Sequence, residues 1–410
     1  MASISNKSTR RVELAVVGGG LIGTSLAIAC AQAGIEVALI DRIDPKAMLK
    51  AGFDGRTTAL SFGTRRVMAG IGVWDDLAGE AQPILEIRVA DGASPFFLHY
   101  DHQALGDDPL GFIVENAHLR RVLLARAQAL DSLTIVAPAT VARVSDAGAS
   151  ALVELDDSST LQAQLVAACD GRHSALRQAA GIETLSWSYR QTALVAVIAH
   201  ERPHGGVAVE HFRPAGPFAI LPMTGNRSSI VWTERSELAP KLLKLGKQEF
   251  HAELTRRFGD FLGALEVAGP VFSYPLSFTH AKRYTAPRLA LVGDAAHAIH
   301  PIAGQGLNLG MRDVASLAEI AVDARRLGLD IGDALLLARY ERWRRFDSVA
   351  LAALTDGLNR LFSNRLPPVA LLRDVGLAAV NAAPPLKRYF MRHAMGIVGD
   401  LPRLVKGEAL

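Results

Sequence analysis

The chain has 410 residues, of which 50% are hydrophobic, 21% are charged and 6% are aromatic. Its length is about two to three times that of a usual domain and predicts two domains, while the composition excludes intrinsic disorder and collagen-like or low-complexity classes. The formal net charge is only +3, so no nucleic-acid partner is predicted. Two cysteines, Cys30 and Cys169, cannot form a disulfide framework or a four-cysteine zinc site, and they fit a reducing cytoplasm.

The first element is an uncharged stretch, residues 14–35, that follows Lys7, Arg10 and Arg11. Such a stretch is typical of a signal peptide or a membrane span. Three consecutive glycines at 18–20 interrupt it, and each would cost a helix about 1 kcal/mol. Residues 12–17 instead predict a strand, residues 21–33 an Ala-rich helix that ends at Gly34, and residues 37–40 a second strand that ends in Asp41. We therefore interpret the stretch as strand, glycine turn and helix.

Residues 18–23 match the pattern G-x-G-x-x-G. Gly18 permits the tight turn, Gly20 lets backbone amides approach a pyrophosphate, and Gly23 lets the helix pack closely on the strand. The helix N-terminus adds amides and a partial positive charge. Asp41 is suited to accept hydrogen bonds from a ribose diol. The unit predicts a bound dinucleotide and does not distinguish FAD from NAD.

Two later segments have a shared form, a short apolar strand that ends in an Asp beside a Gly. Residues 165–168 run into Asp170 and Gly171, and residues 289–292 run into Gly293 and Asp294. The sequence HPIAGQGLNLG follows at 300–310, with a helix predicted from Leu307 onward whose first amides face an electron-rich group. Each segment alone is also compatible with a strand-to-helix turn and a capping Asp. Together the three sites suit an elongated cofactor that lies across a whole sheet.

The segments GGGLIG, DGRHSALR and GDAAHAIHPIAGQGLNLG resemble those of the class A flavoprotein monooxygenases, relatives of para-hydroxybenzoate hydroxylase. Within that group the chain is most similar to the ubiquinone-biosynthesis hydroxylases, through DGRTTALS, ENAHLR, GPFAILP and the tail at 384–402. The resemblance covers essentially the whole chain. It implies an FAD-dependent monooxygenase that hydroxylates the aromatic ring of a polyprenylated phenol in ubiquinone biosynthesis. NAD(P)H would reduce the flavin, and O2, the co-substrate, would react through a C4a-hydroperoxyflavin.

The resemblance also implies the residues that hold FAD. The glycine loop and Asp41 would hold the ADP half, and Asp294 the ribityl chain. Arg56, Asn116 and Arg120 would lie along the phosphates and the ribityl region, and residues 170–171 near the pyrophosphate. Pro301 and residues 304–308 would line the isoalloxazine ring. The complete predicted set is Gly18, Gly20, Leu21, Ile22, Gly23, Asp41, Arg42, Arg56, Asn116, Arg120, Asp170, Gly171, Gly293, Asp294, Pro301, Gly304, Gln305, Gly306, Leu307 and Asn308.

The predicted fold class is α/β, with a Rossmann-type FAD-binding domain interleaved with an antiparallel-sheet substrate domain and a helical C-terminus. Short strand-like runs at 86–100 and 192–233, punctuated by Pro and Gly, predict the antiparallel sheet. We expect the FAD-binding domain at 1–80, 105–182 and 283–340, the substrate domain at 81–104 and 183–282, and the helical region at 341–410. A cleft between the two sheets would form the pocket.

The sequence does not identify the catalytic base. Four pocket candidates are His211, Phe218, His300 and Pro301, although core packing explains His211 and Phe218 equally well. His297 and His300, three residues apart, suggest a metal ligand pair or a general base. No third ligand accompanies them, so we predict no metal and expect a supporting hydrogen bond from either.

The C-terminal part is basic: residues 360–410 contain eight Lys or Arg and three acids, a net charge of +5. Together with its apolar residues, this charge would suit the anionic surface of the inner membrane, where a polyprenylated substrate resides, for an otherwise cytoplasmic protein. A solvated helical cap on the domain is the equally weighted alternative. A homo-oligomer interface or a contact within a multi-enzyme ubiquinone-biosynthesis complex would use the same surface.

Two other functions remain open at this point. One is a different flavin enzyme of the same fold, such as a prenyl reductase or a halogenase. The W-x-W-x-I-P run of the halogenases is absent, and Trp187-Ser188-Tyr189 is the nearest segment. The other is a non-catalytic flavoprotein that serves as a scaffold in a biosynthetic complex. The ring position, the choice of NADH, NADPH or a protein donor, and the oligomeric state are not encoded in these motifs.

Overall fold

The computed structural model describes residues 10–50, 55–92, 97–300, 302–362, 380–381 and 383–410. Within these residues the strands form an eight-stranded, a nine-stranded and a three-stranded sheet. The strands are β1 (Arg10–Val17), β2 (Val37–Ile40), β3 (Thr57–Ser61), β4 (Gln82–Ile84), β5 (Glu86–Asp91), β6 (Phe97–Asp101), β7 (Gly111–Glu115), β8 (Leu133–Val136), β9 (Val141–Asp146), β10 (Ala151–Leu155), β11 (Thr160–Ala168), β12 (Thr184–His200), β13 (Val207–Arg213), β14 (Gly216–Met223), β15 (Arg227–Arg235), β16 (Leu265–Val267), β17 (Phe272–Ala281), β18 (Thr285–Ala286), β19 (Leu289–Leu291) and β20 (His297–Ala298).

Helices cover the sheets and form the C-terminal part. They are α1 (Leu21–Gln32), α2 (Pro45–Lys50), α3 (Phe62–Gly70), α4 (Trp74–Ala78), α5 (Asn116–Gln128), α6 (Ala175–Ala179), α7 (Ala239–Leu243), α8 (Lys247–Phe258), α9 (Gln305–Arg326), α10 (Ala334–Phe362), α11 (Pro384–Ala394) and α12 (Arg403–Lys406). Short 3-10 turns lie at His102–Ala104, Gly293–Ala295 and Ile302–Gly304.

The eight-stranded sheet has the order β18-β19-β11-β1-β2-β8, with β9 and β10 as a hairpin beyond β11. Its central strands β19, β11, β1, β2 and β8 run parallel. Helix α1 packs against the sheet and against α5 and α9, so that residues 23–31 are all buried. This burial on every side explains why the N-terminal stretch is apolar without a polar face. Within the described residues, no helix has the length and apolarity that a membrane crossing requires.

The nine-stranded sheet runs β20-β17-β12-β15-β14-β13-β5-β6, with β16 beside β12, and only the β13–β5 pair is parallel. One face packs on α8, where Leu194, Ile220 and Trp232 meet Phe250 and Leu254. The opposite face meets the segment that contains Ile302, through Phe212 and Val89. The two faces thus have different neighbours, and only the second approaches the third glycine-rich motif.

The α/β fold class with an interleaved antiparallel sheet and a helical C-terminus is confirmed. Helix α9 begins at Gln305, two residues before the predicted start. The domain boundaries stay a prediction. Strand β4 lies in the segment predicted for the substrate domain, yet it pairs with β7 in the three-stranded sheet, which also contains β3.

Candidate active site

The glycine loop between β1 and α1 requires glycine at two positions for steric reasons. Gly18 has φ +106°, and a Cβ there would lie 2.4 Å from the carbonyl oxygen of Cys169. A Cβ on Gly23 would lie 1.8 Å from the carbonyl oxygen of Gly18. A Cβ on Gly20 would meet nothing within 4 Å, so the loop is open on the side where α1 begins. No side chain caps this helix end, and its first amides remain available to an anion.

A cleft beside this loop is suited to an adenosine group. Its walls are mainly apolar, with one carboxylate and one guanidinium. The lining residues are Gly19, Gly20, Leu21, Thr24, Leu39, Asp41, Ile43, Pro45, Met48, Leu49, Arg120, Leu123, Leu124 and Ile135. Asp41 accepts hydrogen bonds from the amides of Gly19 and Ile43, which holds its carboxylate at the cleft with lone pairs left for a hydroxyl. Arg42 is exposed and is not part of the lining.

The second motif lies directly against the first because β1 and β11 are parallel neighbours, with Val17 opposite Ala168. A Cβ on Gly18 would be 2.9 Å from the amide nitrogen of Asp170. One carboxylate oxygen of Asp170 accepts from the amide of Leu176 (3.2 Å), and the other is buried with no partner among the described residues. Gly171 has φ +85° and open space around it. A buried, unpartnered acceptor beside an anion-binding loop fits a hydroxyl-bearing phosphate ligand such as FAD.

The third motif meets the first through Ile22. A Cβ on Gly293 would lie 3.1 Å from this side chain, and one on Gly310 only 2.7 Å. Asp294 is exposed. Desolvation by the surrounding protein nevertheless raises the pKa of its carboxyl, and this effect outweighs the charges of Arg172 and His297, which lower it. The three motifs, spread over about 290 residues of sequence, therefore converge on one edge of the eight-stranded sheet, as predicted for an elongated cofactor.

A buried ionic network supports the third motif from behind. Asp313 is fully buried and accepts hydrogen bonds from the Gly293 amide (3.0 Å), His297 Nε2 (2.6 Å) and Arg344 Nε (2.8 Å). Burial raises the pKa of Asp313, but His297 and Arg344 together outweigh this effect and hold it below its usual value. His297 is thus engaged in holding the motif, which matches the expected supporting hydrogen bond.

Arg177, at the end of the second motif, is buried and donates to the carbonyl oxygens of Ala295 (2.8 Å) and Arg172 (2.9 Å). It therefore links the second motif to the third and is not a surface arginine.

The N-terminus of α9 forms the opposite end of the site. Gly304 caps it with φ +62°, and Gly306 has nothing within 4 Å of a potential Cβ. Gln305, the first residue of the helix, already interacts with another group. The amides of Gly306 and Leu307 lie in the first turn, where no helical carbonyl precedes them. The Asn308 side chain is fully used: it donates to the carbonyls of Ala59 (2.9 Å) and Gly304 (3.3 Å) and accepts from the Ser61 amide (2.9 Å). Its place in the cofactor site stays a prediction. Pro301 lies outside the described residues.

Arg56 and Asn116 lie between these two ends. Asn116 is buried and accepts a hydrogen bond from the Thr58 hydroxyl (2.5 Å), and its amide donates to the Arg56 carbonyl (3.1 Å). The Arg56 guanidinium lies 5.9 Å from the centre of the Tyr274 ring on β17. Arg56 therefore reaches from the three-stranded sheet, which it precedes, to the nine-stranded sheet, whereas Arg120 lines the adenosine cleft.

His300 is fully buried between the two sheets. Its Nε2 donates to Gln191 Oε1 (3.2 Å), and Gln191 in turn donates to the Ala215 carbonyl (2.9 Å). Burial lowers the pKa of His300 to about 4, so its ring is neutral at physiological pH. Its Nδ1 is a buried acceptor with no partner in the described part of the chain. The side chain supplies a hydrogen-bond acceptor next to the predicted ring site rather than a base.

The other two pocket candidates lie on the face of the nine-stranded sheet that packs on α8. His211 is directly opposite Phe218, and Phe218 packs with Trp232 and Leu254. His211 donates to the Gly92 carbonyl (2.7 Å). Their positions favour core packing, the alternative left open above. The residues on either side of His211 in β13, Glu210 and Phe212, point to the opposite face, where Phe212 packs with Ile302 of the third motif. Glu210 is the one acid in this strand, but the sequence does not show which face of the strand meets the motif.

Comparison with known proteins agrees with this geometry. Residues 11–345 match the family model described as "FAD binding domain". The chain is 53% identical over 412 aligned residues to the ubiquinone hydroxylase UbiL of Rhodospirillum rubrum, covering 99% of this chain and 95% of UbiL. It is 33% identical to the 3-demethoxyubiquinol 3-hydroxylase of Escherichia coli, covering 94% of this chain and 98% of that enzyme.

Among solved structures, p-nitrophenol 4-monooxygenase PnpA from Pseudomonas putida superposes with a TM-score of 0.78 at 19% identity, covering 94% of this chain and 99% of PnpA. This likeness supports the fold. The chain belongs to the FAD-binding family of aromatic hydroxylases that contains the ubiquinone hydroxylases.

Proposed function

We propose that this protein is an FAD-dependent monooxygenase that hydroxylates the aromatic ring of a polyprenylated phenol in ubiquinone biosynthesis, with NAD(P)H as the reductant and O2 as the co-substrate. The observation that carries the proposal is the convergence of three glycine–aspartate motifs on one sheet edge, in a chain 53% identical to a ubiquinone hydroxylase. FAD supplies the chemistry that the side chains lack, namely acceptance of a hydride and activation of O2.

The side chains then have binding and positioning roles. Asp41 and the amides after Gly20 hold the ADP half, and Asp170 and Asp294 hold hydroxyl groups. The N-terminus of α9 places positive potential at the flavin ring, which stabilises negative charge on it. The face of the nine-stranded sheet with Phe212 closes the site on the substrate side and excludes water from the reacting atoms.

The first experiment uses the purified protein with its bound flavin. We expect a yellow protein whose NAD(P)H oxidation and O2 uptake both rise when a prenylated phenol is added, with one oxygen atom gained by the ring. Flavin that binds without phenol-stimulated oxidation would support a scaffold, and reduction of an isoprenoid double bond without O2 uptake would support a prenyl reductase. Analysis of quinone intermediates in a deletion strain identifies the ring position.

We also propose that the basic C-terminal region binds the cytoplasmic face of the inner membrane. Helix α11 has Lys387, Arg388 and Arg392 and no acid, and Leu386 and Tyr389 are 43% and 52% exposed on it. Basic charge beside exposed apolar side chains is the combination that binds anionic lipid surfaces. A homo-oligomer or a contact with a multi-enzyme complex are the alternative uses of this surface.

Flotation with lipid vesicles tests this location. We expect the protein to float with vesicles that contain anionic phospholipid and not with phosphatidylcholine alone, and we expect 0.5 M salt to release it because surface charge is screened within about 3–10 Å at such ionic strength. The variant Arg388→Glu/Arg392→Glu should remain unbound. Equal flotation of this variant would exclude α11 as the membrane contact.

A further inference from the structure

One carboxyl group on the substrate-facing side of the nine-stranded sheet has no role in the functions described so far. Glu210 is on β13, where it is directly opposite Val89 of β5 and Ala219 of β14. Val89 is in turn opposite Leu98 of β6, and Ala219 is opposite Val231 of β15. Residues opposite each other across strands point to the same side of a sheet. Glu210 is therefore the one ionisable side chain in an otherwise apolar row that crosses five strands.

The neighbours of this row identify the side to which it points. Phe212, two residues along the strand from Glu210, packs with Ile302 and Phe362, and Val89 packs against the same cluster. Ile302 belongs to the glycine-rich segment at which the flavin ring is proposed to lie. Glu210 thus points toward that segment and away from α8.

The carboxyl of Glu210 is densely surrounded and unpaired. Among the described residues none makes a hydrogen bond or an ion pair with it, and solvent still reaches part of the side chain. Burial alone raises the pKa of Glu210 to about 7. By contrast, the buried Asp313 has three partners. An unpaired carboxyl among apolar groups is unfavourable for folding, so such a group points to a ligand that supplies the missing partner.

We infer that the Glu210 carboxylate binds the phenolic hydroxyl of the substrate and removes its proton, an inference that rests on the proposed function. The O–H bond of the phenol breaks, its electron pair stays on the phenolate oxygen, and the proton forms an O–H bond on Glu210. The phenolate directs electron density into the ring carbon that accepts the oxygen atom. The ring regains its aromaticity when the C–H bond at that carbon breaks and its proton leaves to solvent. The proton on Glu210 then returns to the product oxygen, and the carboxylate is restored.

The other titratable groups around Glu210 fit this role less well. His300 is neutral, with a pKa lowered by burial to about 4. Burial raises the pKa of Tyr100 on β6 to about 12. Asp91 on β5 and Asp356 in the last turns of α10 already interact with other groups. A base with a pKa near 7 is close to the value that suits general base catalysis at physiological pH.

The test compares Glu210→Gln with Glu266→Gln in the flavin-loaded enzyme. Glu266 is an exposed residue on β16 of the same sheet and is the matched control. At pH 7 we expect Glu210→Gln to retain its flavin and to lose hydroxylation by about 10²- to 10⁴-fold, and Glu266→Gln to equal the wild type. The wild-type rate should reach a plateau above pH 7. The rate of Glu210→Gln should keep rising toward pH ~10, where a phenol ionises unaided.

A second measurement does not depend on turnover. A short-chain prenylated phenol is titrated into the oxidised protein, and its phenolate absorbance is followed against pH. We expect ionisation of the bound phenol at lower pH in the wild type than in Glu210→Gln. Equal rates, pH profiles and phenolate spectra for the two proteins would overturn the role of Glu210 while the hydroxylase function stands. If Glu210→Gln loses phenolate formation but the wild type does not hydroxylate the phenol, the proposed function is overturned while the role of Glu210 as a base stands.

Discussion

Gly23→Ala should destabilise the protein even without a cofactor, because the added methyl has no space. Its Cβ would lie 1.8 Å from the carbonyl oxygen of Gly18 and 3.0 Å from the Cβ of Cys169. To lengthen the 1.8 Å contact to an ordinary 3.4 Å, α1 and the loop would have to move apart by about 1.6 Å. The higher helix propensity of Ala returns about 1 kcal/mol, and overpacking against a rigid backbone costs about 3 kcal/mol. The expected net loss of unfolding free energy is about 2 kcal/mol.

Gly20→Ala is the matched control, since the same methyl meets nothing within 4 Å there. Its apoprotein should remain within about 1 kcal/mol of the wild type. It should nevertheless bind FAD about 10- to 100-fold more weakly, because the methyl enters the space through which a phosphate approaches the amides. Urea unfolding of the apoproteins and fluorescence titration with FAD measure both quantities. Equal stability of Gly23→Ala and wild type, or equal FAD affinity of Gly20→Ala and wild type, would refute this account of the loop.

Four further predictions concern charged and titratable groups. Asp294→Ala should lose FAD on dialysis because a hydroxyl partner is removed; a variant that stays fully yellow would contradict the assignment. Asp313→Asn should lower the free energy of unfolding by about 3 kcal/mol, since the buried Arg344 loses one of its two charge partners and keeps only Asp347. A loss below about 1 kcal/mol in urea unfolding would oppose this. The pKa of His300 is about 4 in the folded protein, lower than its unfolded value of 6.5. The free energy of unfolding should therefore be highest above pH 6.5 and should fall by about 3 kcal/mol toward pH 4, because the unfolded chain takes up the proton first. This decline should be smaller in His300→Gln. Glu210 has the opposite sign, because its folded pKa of about 7 exceeds the unfolded 4.5. Stability is lost as the pH rises from 4.5 through 7, so Glu210→Gln should be more stable than the wild type at pH 8, by about 3 kcal/mol. An equally stable variant would show that the carboxyl is not desolvated.

Local features of the cofactor side could be predicted from the sequence because they depend on neighbours in the chain. Gly18 and Gly23 are required by contacts within a strand–turn–helix unit of 31 residues, Arg10–Ile40. The apolar stretch around that unit was correctly separated from a membrane span because consecutive glycines interrupt helices. The antiparallel strands were likewise predicted from alternation and from Pro and Gly, although β12 extends eight residues further toward its N-terminus than the predicted Thr192.

The substrate side depended on the tertiary structure. Adjacent residues of a strand lie on opposite faces, and the sequence contains no signal for which face of β13 meets the flavin motif. His211 was therefore a pocket candidate from the sequence and Glu210 was not, whereas the packing of Phe212 on Ile302 shows that Glu210 is on the face that meets this motif. The partners of buried groups are also distant in sequence: Asp313 and Arg344 support Gly293, and Gln191 receives the hydrogen bond of His300.

The sequence by itself predicted a dinucleotide cofactor at the carboxyl ends of the parallel strands, because backbone geometry at glycines and helix ends is a local property. Only the tertiary structure decided which face of β13 packs against the third motif, because burial and desolvation arise from elements that the chain brings together over hundreds of residues. The surroundings of the basic C-terminal residues are likewise visible only in the tertiary structure. The basic residues of α11 lie beside exposed Leu386 and Tyr389, a juxtaposition that composition alone does not contain.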